Sequence, residues 1–394
     1  MVDDILPYGR QSIDEEDISA VASALKSDYL TTGPLVEQFE AAFCVASGAR
    51  HAVTCSSGTA ALHLAALALN IGPNQAAIVP TMTFLATANA VRMTGAEVVF
   101  TDVDPDTGLL TGETLDEALS RARASGLSVT AAFPVHLNGQ FCDMWPIATI
   151  ANQHGLAVVE DACHTLGETN AGAAPFSKAA CFSTHPVKAI TTGEGGVVAT
   201  ADPELAVRMR RLRSHGIVHD PAVFEHPSPT EERDPSWSYQ MLEIGWNYRM
   251  PDILCALGLS QLKKLSSFMA RRRSIAALYD RLLAPLAPVI KPVPHGARPH
   301  GWHLYVLLID FQALGLIRSE VMKLLRNKSI GSQVHYIPVH RQPYYRRRYG
   351  GLELPGAEAY YGRCLSIPFF PTMTDDDVYR VAQEFHTIVS RAAA

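Results

Sequence analysis

The sequence is short of several signals that would fix a function at once. It has no CxxC pair, and its seven cysteines (Cys44, Cys55, Cys142, Cys163, Cys181, Cys255 and Cys364) are scattered and odd in number. That argues against a disulfide framework or a zinc site and fits a reducing compartment. No basic stretch dominates a face or a tail, and the net charge is −6, so nothing points to nucleic acid. No apolar run approaches membrane-spanning length, so no membrane association is expected. The first residues, Met-Val-Asp-Asp, carry neither a basic region nor an apolar run, so a cytoplasmic protein without a secretion signal is expected. There is no P-loop, and no GxGxxG opens the first βαβ unit, which counts against a nicotinamide enzyme. Internal repeats and low-complexity tracts are absent too.

What remains is the composition of a packed enzyme: 394 residues, 47% apolar and 18% charged. The length exceeds one ordinary core, so two domains are expected. Ser12-Ile13-Asp14-Glu15 reads as a capping box for a helix to about Ser27, and Gly33-Pro34 opens a second helix. Short apolar runs then fall at 51–55, 76–80, 96–100, 128–134, 156–160, 178–182 and 196–200, with helical patterns at 58–69, 84–93 and 144–154. The alternation predicts an α/β fold, with a mostly parallel seven-stranded sheet flanked by helices. Residues 218–240 are polar and proline-containing and read as a long excursion loop, followed by a helix over about 250–284. Residues 1–265 are assigned to a large cofactor-binding domain with N-terminal helices, and 266–394 to a smaller C-terminal α+β domain. The Pro-rich stretch 285–299 is the most visible punctuation between them.

Four stretches carry chemistry. Cys55-Ser56-Ser57-Gly58-Thr59 follows a strand and starts a helix, where free N–H groups and the helix dipole bind phosphate; an ordinary Ser-capped helix would read the same way. Val158-Val159-Glu160-Asp161-Ala162-Cys163-His164 ends a strand in carboxylates, at the edge where open α/β sheets bind ligands. A buried Asp161 there needs a cationic partner such as a protonated pyridine, unless it is simply a cap or a solvated acid. Phe182-Ser183-Thr184-His185-Pro186-Val187-Lys188, followed by Thr191-Thr192-Gly193-Glu194-Gly195-Gly196, sets a lysine beside a Gly-rich segment. Lysine forms Schiff bases with aldehyde cofactors, and burial keeps its amine nucleophilic. Ser183 is a second phosphate ligand in this reading. Gly245-Trp246-Asn247-Tyr248-Arg249-Met250 follows the long loop and offers Asn247 as a polar ligand or a cap. A phosphate cradle, a pyridinium partner and a Schiff-base lysine together are what pyridoxal phosphate (PLP) requires.

The stretches SSGTAAL, VVEDACHTLG, FSTHPVKAITTGEGG, RSHGI, GWNYRM and ALGLSQLKKL resemble the DegT/DnrJ/EryC1/StrS sugar-nucleotide aminotransferases over nearly the whole chain. The resemblance implies a fold-type-I PLP-dependent transferase. Lys188 would be the cofactor-bearing and catalytic lysine, with Asp161 on the pyridine nitrogen, Phe84 on the ring face and His164 near the ring oxygen. Gly58, Thr59 and Ser183 would bind the phosphate. Asn247 would reach the phosphate of a neighbouring subunit, making a homodimer with shared sites. LPYGRQSIDEEDI, SDYLTTGP, QVHYIPVHRQPYYRR and AEAYYGRCLSIPFFPTMTDDDV resemble the branch serving pseudaminic acid biosynthesis. That branch aminates C4 of a UDP-linked 4-keto-6-deoxy-N-acetylhexosamine with L-glutamate as donor, passing through pyridoxamine phosphate. Thr31, Gly33, His335, Tyr336 and, with less weight, His215 are the candidates for the sugar-nucleotide pocket, and no metal ligands are expected. The run Arg346, Arg347 and Arg348 could assist a diphosphate or be a solvated face. Other family sugars, a dehydratase and a non-catalytic PLP-binding protein are the alternatives; Lys188 speaks against the dehydratase.

Overall fold

The computed structural model describes residues 5–167, 176–225, 237–295 and 299–392. The chain opens with helices α1 (Glu15–Leu25) and α2 (Pro34–Ser47). The α/β body follows: β1 (His51–Cys55), α3 (Gly58–Ala68), β2 (Ala76–Pro80), α4 (Leu85–Met93), β3 (Glu97–Thr101), α5 (Gly112–Ala124), β4 (Val129–Ala132), α6 (Met144–Gln153), β5 (Ala157–Asp161), β6 (Ala179–Ser183), β7 (Gly196–Thr200) and α7 (Pro203–Leu212). The seven strands lie in the order β1-β7-β6-β5-β4-β2-β3. Only β7 runs against the rest, antiparallel to both β1 and β6. All five residues of β2 and of β7 are buried, as expected for a sheet covered on both faces.

The expected strands are all present, with boundaries moved by a residue or two; β3 starts at Glu97 and β4 ends at Ala132. The first helix corrects the expected cap. Asp14, not Ser12, is the N-cap: its carboxylate accepts the N–H groups of Glu16 and Asp17, and the Asp17 side chain returns to the Asp14 N–H. Ser12 instead offers its carbonyl to the Gln261 amide at 2.9 Å.

The excursion after α7 is based on a two-stranded ribbon, β8 (Ile217–Val218) and β9 (Gln240–Met241). Residues 226–236 of the expected loop lie outside the described residues. The 32-residue α8 (Asp252–Leu283) then crosses the molecule. Its first half buries Cys255, Leu265 and Met269 with Phe39, Phe43 and Phe182 of the large sheet's layer. From Ile275 onward it joins a second core with β10 (Ile290–Pro292), β11 (Tyr305–Ile309), α9 (Arg318–Arg326) and, later in the chain, β12 (Cys364–Ile367) and α12 (Asp375–Ala392). The expected boundary at 265/266 therefore falls inside α8. β10, β11 and β12 form an antiparallel sheet, and α10 (Pro343–Tyr349) and α11 (Pro355–Arg363) precede its last strand. Among the described residues no helix is long and apolar enough to cross a membrane.

Candidate active site

Parallel strands deliver their carboxyl ends to one edge of the sheet, and the chemistry-bearing residues follow those ends. Ser57 comes just after β1, Thr83 and Phe84 after β2, Val135 after β4, Asp161 ends β5 and Ser183 ends β6. The reversed β7 begins at the same edge, where Gly196 pairs with Cys55 and with Ser183. A side chain at Gly196 would run into the Ser57 carbonyl, so this approach requires glycine. The loops enclose a cavity of about 410 Å³, a size suited to a small organic ligand. Gly58, Thr59, Phe84, Asp161, His164, Ser183, Lys188, His335 and Tyr336 all line it, so most of the residues singled out in the sequence converge.

At one end is the start of α3. Ser57 caps the helix, its Oγ accepting the Ala60 N–H at 3.1 Å. The N–H groups of Gly58 and Thr59, the first two helical residues, have no intrahelical acceptor. A Cβ on Gly58 would stand 2.8 Å from Ser183 Cβ and 3.2 Å from its Oγ, so α3 and Ser183 can close into one cradle only because residue 58 is glycine. Among the described residues that line it, Lys188 is the only lysine or arginine. Amides and hydroxyls, rather than a basic cluster, would therefore hold an anion here.

Asp161 is buried. Its Oδ2 accepts the Thr87 hydroxyl at 2.6 Å and its Oδ1 accepts the Cys163 N–H at 3.2 Å. Thr83 Oγ1 lies 2.7 Å from Thr87 Oγ1. Because the Thr87 proton goes to the carboxylate, Thr83 donates to Thr87, and the chain of hydroxyls fixes the carboxylate. The carboxylate still lines the cavity and can receive a cationic N–H there.

Lys188 sits in the turn after β6, its N–H bonded to the His185 carbonyl at 2.9 Å. Its amine lies 3.4 Å from His303 Nε2. Burial holds this amine below the ordinary lysine range, opposed by the acidic groups Cys163 and Asp161. His164 is buried, with Nδ1 accepting the Asn138 N–H at 3.2 Å and Nε2 3.5 Å from the Tyr336 hydroxyl. Burial pushes it far below the usual histidine range, and the cationic forms of Lys188, His335 and His136 would each push it further, so it is neutral. His335 is pushed down to about 3 by burial and Lys188, and its Nδ1 pairs with Ser366 Oγ at 2.8 Å. The Tyr336 ring stands 5.7 Å from that of Phe84, which is 54% exposed at the mouth.

Four of the singled-out residues do not line this cavity. Thr31, His215 and Asn247 are exposed on loops, and the Gly33 N–H is bonded to Asp252 Oδ2 at 2.7 Å, capping α2. The arginine run lies on α10, outside the cavity, with Arg348 paired to Glu97. Sequence reading passed over Thr87, His303 and Tyr8. Thr87 sits in the first turn of α4, Tyr8 lies in LPYGRQSIDEEDI, a stretch read only for the family branch, and His303 comes from a segment without a motif. The alternation of hydroxyls at Thr83 and Thr87, at helical spacing, was the one available signal. Among the described residues no cluster could hold a metal ion.

The cavity fits PLP on these grounds: an anion cradle closed by a required glycine, a carboxylate fixed by a hydroxyl chain, and a half-buried lysine amine facing the same space. The sequence model of the DegT/DnrJ/EryC1/StrS aminotransferase family matches residues 11–386. PseC of Helicobacter pylori, an aminotransferase involved in the biosynthesis of pseudoaminic acid, is 28% identical. The match covers 98% of this chain and 100% of that one, with a TM-score of 0.87. DesV of S. venezuelae is 31% identical over 95% of this chain and 94% of its own, with a TM-score of 0.81. NtdA of Bacillus subtilis, solved with bound cofactor PMP, is 26% identical over 96% of this chain and 83% of its own, at 0.83. The chain thus belongs to the DegT/DnrJ/EryC1/StrS aminotransferase family and is a PLP-dependent sugar aminotransferase of fold type I.

Proposed function

We propose that this protein moves the amino group of L-glutamate to C4 of a UDP-linked 4-keto-6-deoxy-N-acetylhexosamine, in a pathway of the pseudaminic acid type. The observation that carries the reading is the Lys188 amine, which lies in the cavity with the α3 amides and Asp161 and which burial holds below the ordinary lysine range. The similarity to PseC over both full lengths supports the substrate class. Bound PLP supplies the electron sink for charge that develops beside the transferred nitrogen. Lys188 Nζ takes the proton from the glutamate α-carbon and later delivers one to C4 of the sugar from the same face. Asp161 would hold the proton on the ring nitrogen, and His164 would donate from Nε2 toward the ring oxygen. Phe84 would cover the ring face, and Gly58, Thr59 and Ser183 would take the phosphate.

His335 and Tyr336, with Tyr8 beside them, form the sugar side of the cavity; the Tyr8 and His335 rings are 5.2 Å apart. Thr31, Gly33, His215 and Asn247 lie outside this chain's cavity, and we assign them to sites shared across a cytoplasmic homodimer.

The test is an absorbance record of the PLP-loaded protein as L-glutamate and then the keto-sugar nucleotide are added, for the natural sequence and Lys188→Ala. Loss of the visible band with glutamate, its return with the sugar, and no cycling in the variant are expected. Return of the band only with a dTDP- or GDP-linked keto-sugar would move the substrate elsewhere in the family. No response to glutamate would remove the Lys188 reading.

A further inference from the structure

His303 lies in the loop entering β11, 115 residues along the chain from Lys188, and no motif draws attention to it. It is nevertheless the side chain against the reactive amine, with Nε2 3.4 Å from Lys188 Nζ. Its ring stands 4.2 Å from that of His164. The loop holds it firmly. Its N–H donates to the Asn138 carbonyl at 3.2 Å, and its carbonyl accepts Arg272 Nη1 at 3.2 Å. The same Arg272 atom reaches the carbonyls of Trp302 and Phe369 at 3.1 Å each. Gly139, at φ +102°, packs so closely that a Cβ there would stand 2.7 Å from Trp302 N and 3.0 Å from His303 N. These contacts fix the backbone that carries the imidazole.

The other nitrogen decides what His303 does. Nδ1 is buried and has no hydrogen-bond partner among the described residues. Burial disfavours a charged imidazole here, and the cationic forms of Lys188, His164, Arg272 and His335, the groups facing the ring, would each add to that. Asp161 and Cys163 act on Lys188 from the end of β5. A neutral imidazole has one N–H. A buried N–H without an acceptor is costlier than an empty lone pair, so Nδ1 is the bare nitrogen and Nε2 carries the proton. An Nε2–H facing Lys188 can bond only to an amine that still has its lone pair.

We propose that His303 is a positioning residue for Lys188: its Nε2–H donates to the neutral amine, aiming it and holding it as the free base. Arg272 and Asn138 fix the backbone from which this donor projects. The inference rests on the reading of Lys188 as the reactive amine, and it is tested without cofactor.

In apo-protein, the reactivity of Lys188 toward acetic anhydride is followed against pH by peptide mass spectrometry, for the natural sequence, His303→Leu and His303→Gln. Glutamine places an N–H where Nε2 stands; leucine does not. The labelling midpoint of Lys188 is expected to rise by about one unit in His303→Leu, a tenfold loss of free base at fixed pH, and to stay within a few tenths in His303→Gln. His303→Met replaces leucine if the latter does not fold, as judged by circular dichroism. A midpoint that is unmoved or lower in the leucine or methionine variant overturns the proposal, as does an equal rise in the glutamine variant. If Lys188 of the natural sequence titrates like a surface lysine, the functional reading fails together with this one. A shift as expected in a protein that does not aminate the sugar leaves the inference standing and removes only the substrate.

Discussion

The backbone N–H of Asn138 donates to Nδ1 of His164 at 3.2 Å. That contact settles the tautomer: Nδ1 is the acceptor, so the neutral ring carries its proton on Nε2, toward Tyr336 and the cavity. Asn138 makes the contact from a left-handed conformation, φ +64°, and its carbonyl also accepts the N–H groups of His303 and Leu304 at 3.2 and 3.1 Å. Asn138 thus binds one imidazole near Lys188 through its N–H and the backbone that carries another through its carbonyl.

His164 should therefore act as a fixed donor that does not titrate near neutrality. Removing one hydrogen bond to a charged oxygen costs about 1.5–3 kcal/mol, so His164→Leu should weaken PLP binding by roughly 10–100-fold. His164→Gln, which can donate from the same side, should recover most of that. Equilibrium titration of apo-protein with PLP at pH 6 and pH 8 checks both points. A histidine-like inflection in the natural protein's affinity over that interval would contradict the tautomer argument.

Gly58 tests the phosphate cradle. A methyl group there meets Ser183 Cβ at 2.8 Å, and backbone must move because the contact is with the root of the side chain. Gly58→Ala should lower affinity for PLP by about 10-fold or more, while the unaltered capping of α3 by Ser57 keeps the helix. Pyridoxal without its phosphate should bind the variant and the natural protein almost alike. An equal loss for both ligands would place the effect outside the phosphate end.

The sheet was legible because its strands are short apolar runs separated by helical patterns, and the site because most of its residues directly follow strand ends. Lys188, Asp161, His164 and Gly58 are each within a few residues of β1, β5 or β6. His303 was not legible, since a lone histidine before an apolar strand has the same local appearance whether it touches a lysine or a carbonyl. Ser12 misled for a related reason. Ser12 and Asp14 are both good caps, and the choice between them was made by Gln261 on a distant helix, which takes the Ser12 carbonyl. The exposed Thr31, His215 and Asn247 show the remaining limit, because the local pattern of a loop residue does not tell whether its side chain lines the cavity of its own chain.

Glu40 offers a prediction about stability, away from the chemistry. It is 6% exposed on α2, and it joins three elements. Oε1 accepts the Thr54 N–H at 3.0 Å and Arg213 Nη1 at 2.6 Å; Oε2 accepts Arg210 Nη2 at 2.9 Å. Burial alone would raise its carboxyl, but Arg213 and Arg210 more than offset this and hold it below the ordinary range. A depressed carboxylate contributes stability that is fully present above the unfolded value, about 4.3, and is lost as pH falls through the lower folded value. Glu40→Gln leaves two guanidinium groups without their partner and should cost about 3 kcal/mol at pH 7. That is the low end for a buried pair, because the Arg210 side chain is 39% exposed. Thermal unfolding from pH 7 to pH 3 should show the natural protein losing its advantage over the variant below about pH 4. Two melting curves that stay equally spaced throughout would mean that the stabilisation comes from packing around Glu40 and not from its charge.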